Sequence, residues 1–273
     1  MTILVTGAEG MLGSAVLRAA HVANVDVVGL TKQDCDIGDR IQVAEVMARY
    51  QDPVVVINCA GIVKEREDIS FIEMRRVDTL GPMILARHAA RVVHISTDCV
   101  FDGKITCGSY TEDSKPCPQD PYGERKLEGE SIPGPHLLVV RASFVGLGQR
   151  GLLHWLLNHP QDADVPGFTN WIWNGWTADG LAYMLLELAT SDITGLLHVP
   201  GPNVMSKAFL LQRVASRLRP DLMIQETLAP EDRRMVLEST IPSSQLPGLN
   251  PLRRHLTWDW MLDELEAHYR AGL

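Results

Sequence analysis

The sequence predicts an α/β fold: a doubly wound parallel sheet with a smaller C-terminal substrate-binding lobe. Three observations predict it. Short β-branched runs alternate with longer helical patterns through the first half of the chain. The strand candidates are apolar on consecutive positions, which is the mark of strands covered by helices on both faces. A glycine-rich turn, Thr6 to Gly13, follows the first strand and opens a helix.

The strand candidates are Ile3–Val5, Val25–Leu30, Val54–Ile57, Val92–Ile95 and Leu137–Val140. Helical patterns lie between them at 11–22, 38–50, 68–90 and 121–131. Repeated βα units of this size wind a parallel sheet. Beyond residue 146 the pattern loosens. Helices are expected at 149–158, 177–190, 206–218 and 257–270, with a strand at Leu196–Val199, and Pro and Gly punctuate 160–168, 200–202 and 242–251. The reading is a dinucleotide-binding domain over 1–146, with 172–200 returning to it, and a smaller lobe from 147–171 and 201–273.

Composition narrows the function. The chain has 273 residues, 45% hydrophobic and 22% charged, ordinary for a globular protein. No apolar run approaches the roughly 18 residues of a membrane span. The N-terminus lacks a basic region and a cleavage site, so it reads as a first strand. A formal charge of −9 argues against nucleic acid as a partner. Five cysteines with no CxxC pair argue against a zinc site or a disulfide framework, and no metal is expected. Reduced thiols fit a cytoplasmic address.

The glycine turn carries the first chemistry. Gly7 allows a tight turn, Gly10 lets the backbone approach a pyrophosphate, and Gly13 permits close helix–strand packing. The amides of Met11, Leu12 and Gly13 at the helix start supply hydrogen bonds and a favourable dipole for the anion. This is the Rossmann-type dinucleotide signature in its required context. The second strand ends Gly29-Leu30-Thr31-Lys32, without the carboxylate that usually holds the ribose hydroxyls. A hydroxyl and a cation there tolerate a 2′-phosphate, which favours NADP(H) over NAD(H). Asp36 and Ile37 are placed to meet the adenine. Cys59, Ala60 and Gly61, after the third strand, leave room for the nicotinamide half.

Tyr122 and Lys126 form a YxxxK pair, and residues four apart share a helix face. An ammonium beside a phenol lowers the phenol pKa. A tyrosine tuned in this way delivers a proton to a carbonyl oxygen as hydride reaches the carbon. Lys126 can also hold the nicotinamide ribose. Ser96 and Thr97 close the fourth strand, followed by Asp98 and Cys99.

With these residues in hand, the chain resembles the extended short-chain dehydrogenase/reductase superfamily, and within it the dTDP-4-dehydrorhamnose reductase branch. The carriers are TGAEGMLG at 6–13, NCAG at 58–61, STDCVFDG at 96–103, PYGERKLEGE at 121–130 and RASFVG at 141–146. The resemblance is strong over residues 1–146 and partial beyond. It implies NAD(P)H-dependent reduction of the 4-keto group of a nucleotide-linked 4-keto-6-deoxy sugar. It implies a catalytic set of Thr97, Tyr122 and Lys126, and cofactor contacts at Gly7, Gly10, Gly13, Ala60 and Lys126.

Position 99 departs from the pattern. The superfamily's dehydratases carry an Asp and a Glu after the threonine. Here Asp98 fills the first place and Cys99 the second, and a thiol of ordinary pKa is a poor carboxylate substitute. The reductases of the branch carry tyrosine there, so the thiol also leaves the sugar open. On the substrate side, Trp171 to Trp176 is aromatic-dense; Trp173 is a stacking candidate and Asn174 a hydrogen-bonding one. Arg233 offers a fork for a diphosphate. Two alternatives stand beside the reductase: an epimerase that retains NAD, and a regulatory subunit that binds a dinucleotide without turnover. Self-association into a homodimer is left open.

Overall fold

The computed structural model describes residues 1–63, 68–131, 134, 136–242 and 256–272. The segment 243–251, most of the last Pro/Gly-punctuated stretch, lies outside them. The large sheet contains β1 (Thr2–Thr6), β2 (Val27–Leu30), β3 (Val54–Asn58), β4 (Arg91–Thr97), β5 (Leu137–Ala142) and β10 (Gly195–His198). They lie in the order β10-β5-β4-β3-β1-β2, and every neighbouring pair is parallel. The order reverses between β1 and β3, so the crevice beyond their carboxyl ends is the expected ligand position.

Consecutive strand residues serve opposite faces. Ile3, Val5, Val55 and Ile57 pack with α1 (Met11–Val22) and α7 (Ala178–Ala189). Leu4, Val54 and Val56 pack with α2 (Arg40–Met47) and α4 (Gly81–His88). This two-sided burial explains why the runs are continuously apolar. Helix starts follow side-chain chemistry. Asp39 caps α2 at Ile41 N and Gln42 N, Thr177 caps α7 at Gly180 N, and Asp120 accepts from Gly123 N at the head of α5 (Pro121–Glu130).

The single helix expected over 68–90 is broken. It forms α3 (Phe71–Arg75), a π-turn over Arg76–Leu80, and α4. The cause is Pro82. It has no N–H for the Asp78 carbonyl, so the ladder widens and Gly81 N donates to Arg76 O, five residues back. Gly129 of α5 packs on the freed carbonyl: a Cβ there would stand 2.3 Å from Asp78 O.

After β5 come β6 (Phe144–Val145), α6 (Gly151–Leu157), β7 (Asp164–Phe168), β8 (Trp171–Trp173), β9 (Trp176–Thr177) and then α7. Beyond β10 follow β11 (Met205–Ser206), α8 (Lys207–Leu218), β12 (Met223–Thr227), β13 (Arg233–Met235) and α9 (Trp258–Arg270). The aromatic stretch, to which the sequence assigned no element, opens as a strand: β8 sits between β11 and β13 in a three-stranded sheet. The segment around Pro166 is β7, paired in parallel with β12. These strands are short and interrupted by Pro and Gly, so periodicity hid them. Trp258, Met261 and Leu265 of α9 join the same apolar cluster as α1 and α7. Among the described residues no helix is long and apolar enough to cross a membrane.

Candidate active site

The carboxyl ends of β1, β3 and β4 bring three groups of residues together. The first is the glycine turn. Gly7 adopts φ +68°, and a Cβ on it would stand 2.7 Å from Ala60 N. A Cβ on Gly13 would stand 2.1 Å from Gly7 O. Gly10 caps α1 without a side chain, and a Cβ on it would meet only Gly7 O, at 3.1 Å. The first intrahelical bond is Ser14 N to Gly10 O, which leaves the amides of Met11, Leu12 and Gly13 without a helical carbonyl to reach. Tight packing behind and open amides in front fit a dinucleotide pyrophosphate.

Beneath the turn runs a buried polar chain that the sequence reading missed. Thr6 Oγ1 donates to Asn58 Oδ1 at 2.7 Å, and Ala60 N donates to the same oxygen at 3.2 Å. The Asn58 amide nitrogen therefore donates to His94 Nδ1, at 3.0 Å. That places the His94 proton on Nε2, a buried atom without a hydrogen-bond partner. Burial, then the nearby Lys126 charge, hold His94 well below the usual imidazole range.

At the end of β2, Thr31 N and Oγ1 both donate to Asp34 Oδ2. Lys32 Nζ donates to Glu73 Oε1 at 2.9 Å, with its side chain 67% exposed. Asp36 accepts from Arg76 at 2.6 Å, and Arg76 also bonds Glu73. The cation expected beside the ribose is therefore shared with a carboxylate. Two hydrogen-bonded cations, Arg76 first, hold the Glu73 carboxyl down at about 2. Ile37 is core, buried beside Val43 and Leu85. The expectation that it meets an adenine is corrected: its side chain is enclosed by α2 and α4 packing.

The second group is the strand end and α5. Thr97 Oγ1 donates to Asp98 Oδ1 at 3.2 Å and accepts from Cys99 N at 3.1 Å. The Tyr122 phenol lies close enough to the Thr97 hydroxyl to be influenced by it. Lys126 Nζ donates to Ile95 O at 2.6 Å. Thr97, Tyr122 and Lys126 are thus grouped where the end of β4 meets α5. The expected tuning is corrected, however. Burial first, then Cys99 and Asp78, raise the Tyr122 phenol well above its ordinary value. Lys126 is itself pulled down by burial, and its ammonium donates to the Ile95 carbonyl. The Cys59 thiol, half-buried at the end of β3, is pushed up to about 12 by desolvation.

Asp78, in the π-turn, is the largest omission of the sequence reading. It is fully buried, accepts from Ile62 N at 2.8 Å and from Arg125 Nε at 3.2 Å. The point where a Cβ on Gly61 would stand is 3.4 Å from Asp78 Oδ1 and 3.9 Å from Lys126 Nζ. Pro82 was the available signal, since it interrupts the helix one turn beyond Asp78.

The third group lies around Asp98, next in the chain to Thr97. Burial raises Asp98, against hydrogen bonds from Ser143 and Thr97 and the charge of Arg233. Arg233 packs under Gly103 and stacks its guanidinium over Trp171, 5.6 Å from the ring centroid. Lys207 Nζ lies over the same ring at 4.8 Å. Trp173 Nε1 donates to Ser143 Oγ at 2.7 Å. Asn174 is corrected: it donates to Leu237 O and accepts from Leu237 N, both at 2.8 Å, so its carboxamide clamps the chain.

Comparison with known proteins identifies the family. The family model described as RmlD substrate binding domain matches residues 1–236. A probable low-salt glycan biosynthesis reductase of Haloferax volcanii is 31% identical over 258 residues, covering 85% of each chain. A dTDP-4-dehydrorhamnose reductase of Mycobacterium tuberculosis is 31% identical over 282 residues, covering 92% of this chain and 88% of its own. The crystal structure of a dTDP-4-dehydrorhamnose reductase from Clostridium acetobutylicum superposes with a TM-score of 0.80 at 24% identity, covering 99% of this chain and 100% of that one. At that identity the structure speaks for the fold.

Proposed function

Because the chain belongs to the RmlD substrate binding domain family, we propose that it is an NAD(P)H-dependent reductase of the 4-keto group of a nucleotide-linked 4-keto-6-deoxy sugar. One observation carries this reading. The glycine turn, the Asn58–Gly61 strand end and the trio Thr97, Tyr122 and Lys126 converge at the carboxyl ends of β1, β3 and β4. A dinucleotide on that turn supplies the hydride.

The chain's own residues do the rest. The Tyr122 phenol, held protonated by burial, gives its proton to the ketone oxygen as the carbon takes hydride, and the product is an alcohol. Thr97 donates a second hydrogen bond to the same oxygen once substrate displaces its contact with Asp98. Lys126, close to Gly61, is placed to hold the nicotinamide ribose and to stabilise the phenolate left behind. Arg233 and Trp171 form a cationic, aromatic wall suited to the nucleotide diphosphate. Asp98 followed by Cys99 supplies no second carboxylate, which opposes the elimination step of a dehydratase.

Thr31 and Lys32 favour NADP(H) over NAD(H), with Glu73 as the competing anion. Oxidation of NADPH and of NADH, each followed against a panel of nucleotide-linked 4-ketosugars, tests both statements. Turnover of a member of the panel, faster with NADPH, is expected. Stable dinucleotide binding with no turnover across the panel would overturn the reading.

A further inference from the structure

We propose that Asp78 is a positioning residue, with Arg125 as its counter-ion: its buried carboxylate, set across the Gly61 volume from Lys126 Nζ, is the charge that governs the Lys126–Tyr122 pair in the working enzyme. The proposal rests on the reductase reading above. Four observations lead to it.

First, a carboxylate at 0% exposure, paired with an arginine at 4%, is costly to bury. The packing of α5 on the π-turn does not require it. That contact is made by Gly129 on the Asp78 carbonyl and by Thr79 Oγ1 donating to Arg125 O, neither of which uses the acid. Second, the acid is aimed. The π-turn that Pro82 forces carries it, and Ile62 N and Arg125 Nε fix one oxygen each. Third, Asp78 Oδ1 and Lys126 Nζ flank one small volume at Gly61, the place read above as lying under the nicotinamide half. Fourth, the charges around Lys126 differ in sign. Burial lowers it, while Asp78, Glu130 and Cys59 raise it and Arg125 lowers it; His94 from β4 faces it as a neutral ring. Around Tyr122 stand Cys99, Asp78 and Asp98, which raise it, and Thr97, which lowers it. Asp78 is the leading charge at Lys126 and acts in the same direction on both groups.

The sign of the effect follows. Loss of the proton from Lys126 or from Tyr122 ends reduction at high pH. A negative charge beside both delays that loss. Removing it moves the alkaline limit of activity toward neutrality, and removing Arg125 moves it the other way.

The test follows the Lys126 side chain directly, by NMR titration of protein carrying 13Cε-labelled lysine, with Lys126→Met to assign the signal. Asp78→Asn keeps an acceptor for Ile62 N and loses the charge; its Lys126 midpoint is expected to fall by about one pH unit. Arg125→Gln is expected to raise it. The double variant Asp78→Asn/Arg125→Gln removes the pair together and is expected to fall below wild type by less than Asp78→Asn alone. It also decides the matter if an unpaired Arg125 prevents Asp78→Asn from folding. The alkaline limb of kcat/KM should move in the same three directions. Folded variants whose Lys126 midpoints and alkaline limbs coincide with wild type would overturn the proposal. Midpoints that move as expected in a protein that turns over no ketosugar would instead uphold the Asp78 assignment at Lys126 and overturn the reductase reading.

Discussion

Gly13 lies so close under Gly7 that a Cβ on it would stand 2.1 Å from the Gly7 carbonyl oxygen and 2.7 Å from the carbonyl carbon. The start of α1 is thereby locked against the turn that follows β1. Both atoms are backbone, so nothing flexible can yield. Gly13→Ala is expected to weaken dinucleotide binding by about tenfold or more, a cost near 1.4 kcal/mol. Gly10→Ala meets a single oxygen at 3.1 Å and is expected to cost less. Fluorescence titration with NADPH checks the order; equal losses would contradict the packing account.

The proposed NADP(H) preference is testable at Glu73. It binds both Lys32 and Arg76 and so occupies the two cations nearest the end of β2. Glu73→Gln keeps the size and frees the charge of Lys32. The ratio of NADPH to NADH affinity is expected to rise by about three- to tenfold. Calorimetric titration with each dinucleotide measures it, and an unchanged ratio would separate Lys32 from the 2′-phosphate.

Stability should fall on mild acidification. His94 is held below its unfolded value near 6.5, so below that pH the unfolded chain binds a proton that the folded one refuses. The stabilisation is complete above about pH 6.5 and is lost as pH falls, at up to about 1.4 kcal/mol per unit for this one group. His198 is lowered too and acts in the same direction. Glu73 works only nearer its own unfolded range, around 4.5. Urea unfolding between pH 7 and 5 should show a shallower pH slope in His94→Gln than in wild type. Parallel slopes would place the proton elsewhere.

The sequence made the large sheet legible because its strands are buried on both faces and its helices carry clear start signals. The glycine turn and YxxxK are local patterns, and the structure brings them together where parallel strands end. What escaped were effects of tertiary context. Pro82 sits in a helical pattern, and only the docking of α5 shows that the resulting π-turn carries an acid inward. Asn174 looked like a free amide until the Leu237 backbone came to meet it. Ile37 follows an acid, Asp36, in sequence, yet its side chain belongs to the core beneath α2. Lys126 was read as lowering the Tyr122 phenol, but burial and the nearby Cys99 and Asp78 raise it overall.

The central claim is that the protonated Tyr122 phenol supplies the proton for ketone reduction. Single-turnover oxidation of bound NADPH by a nucleotide-linked 4-keto-6-deoxy sugar, compared between wild type and Tyr122→Phe, tests it most directly. The variant keeps the ring and removes the proton. Its rate is expected to fall by about a hundredfold or more with NADPH affinity unchanged. A Tyr122→Phe protein that reduces the ketone at the wild-type rate would contradict the account.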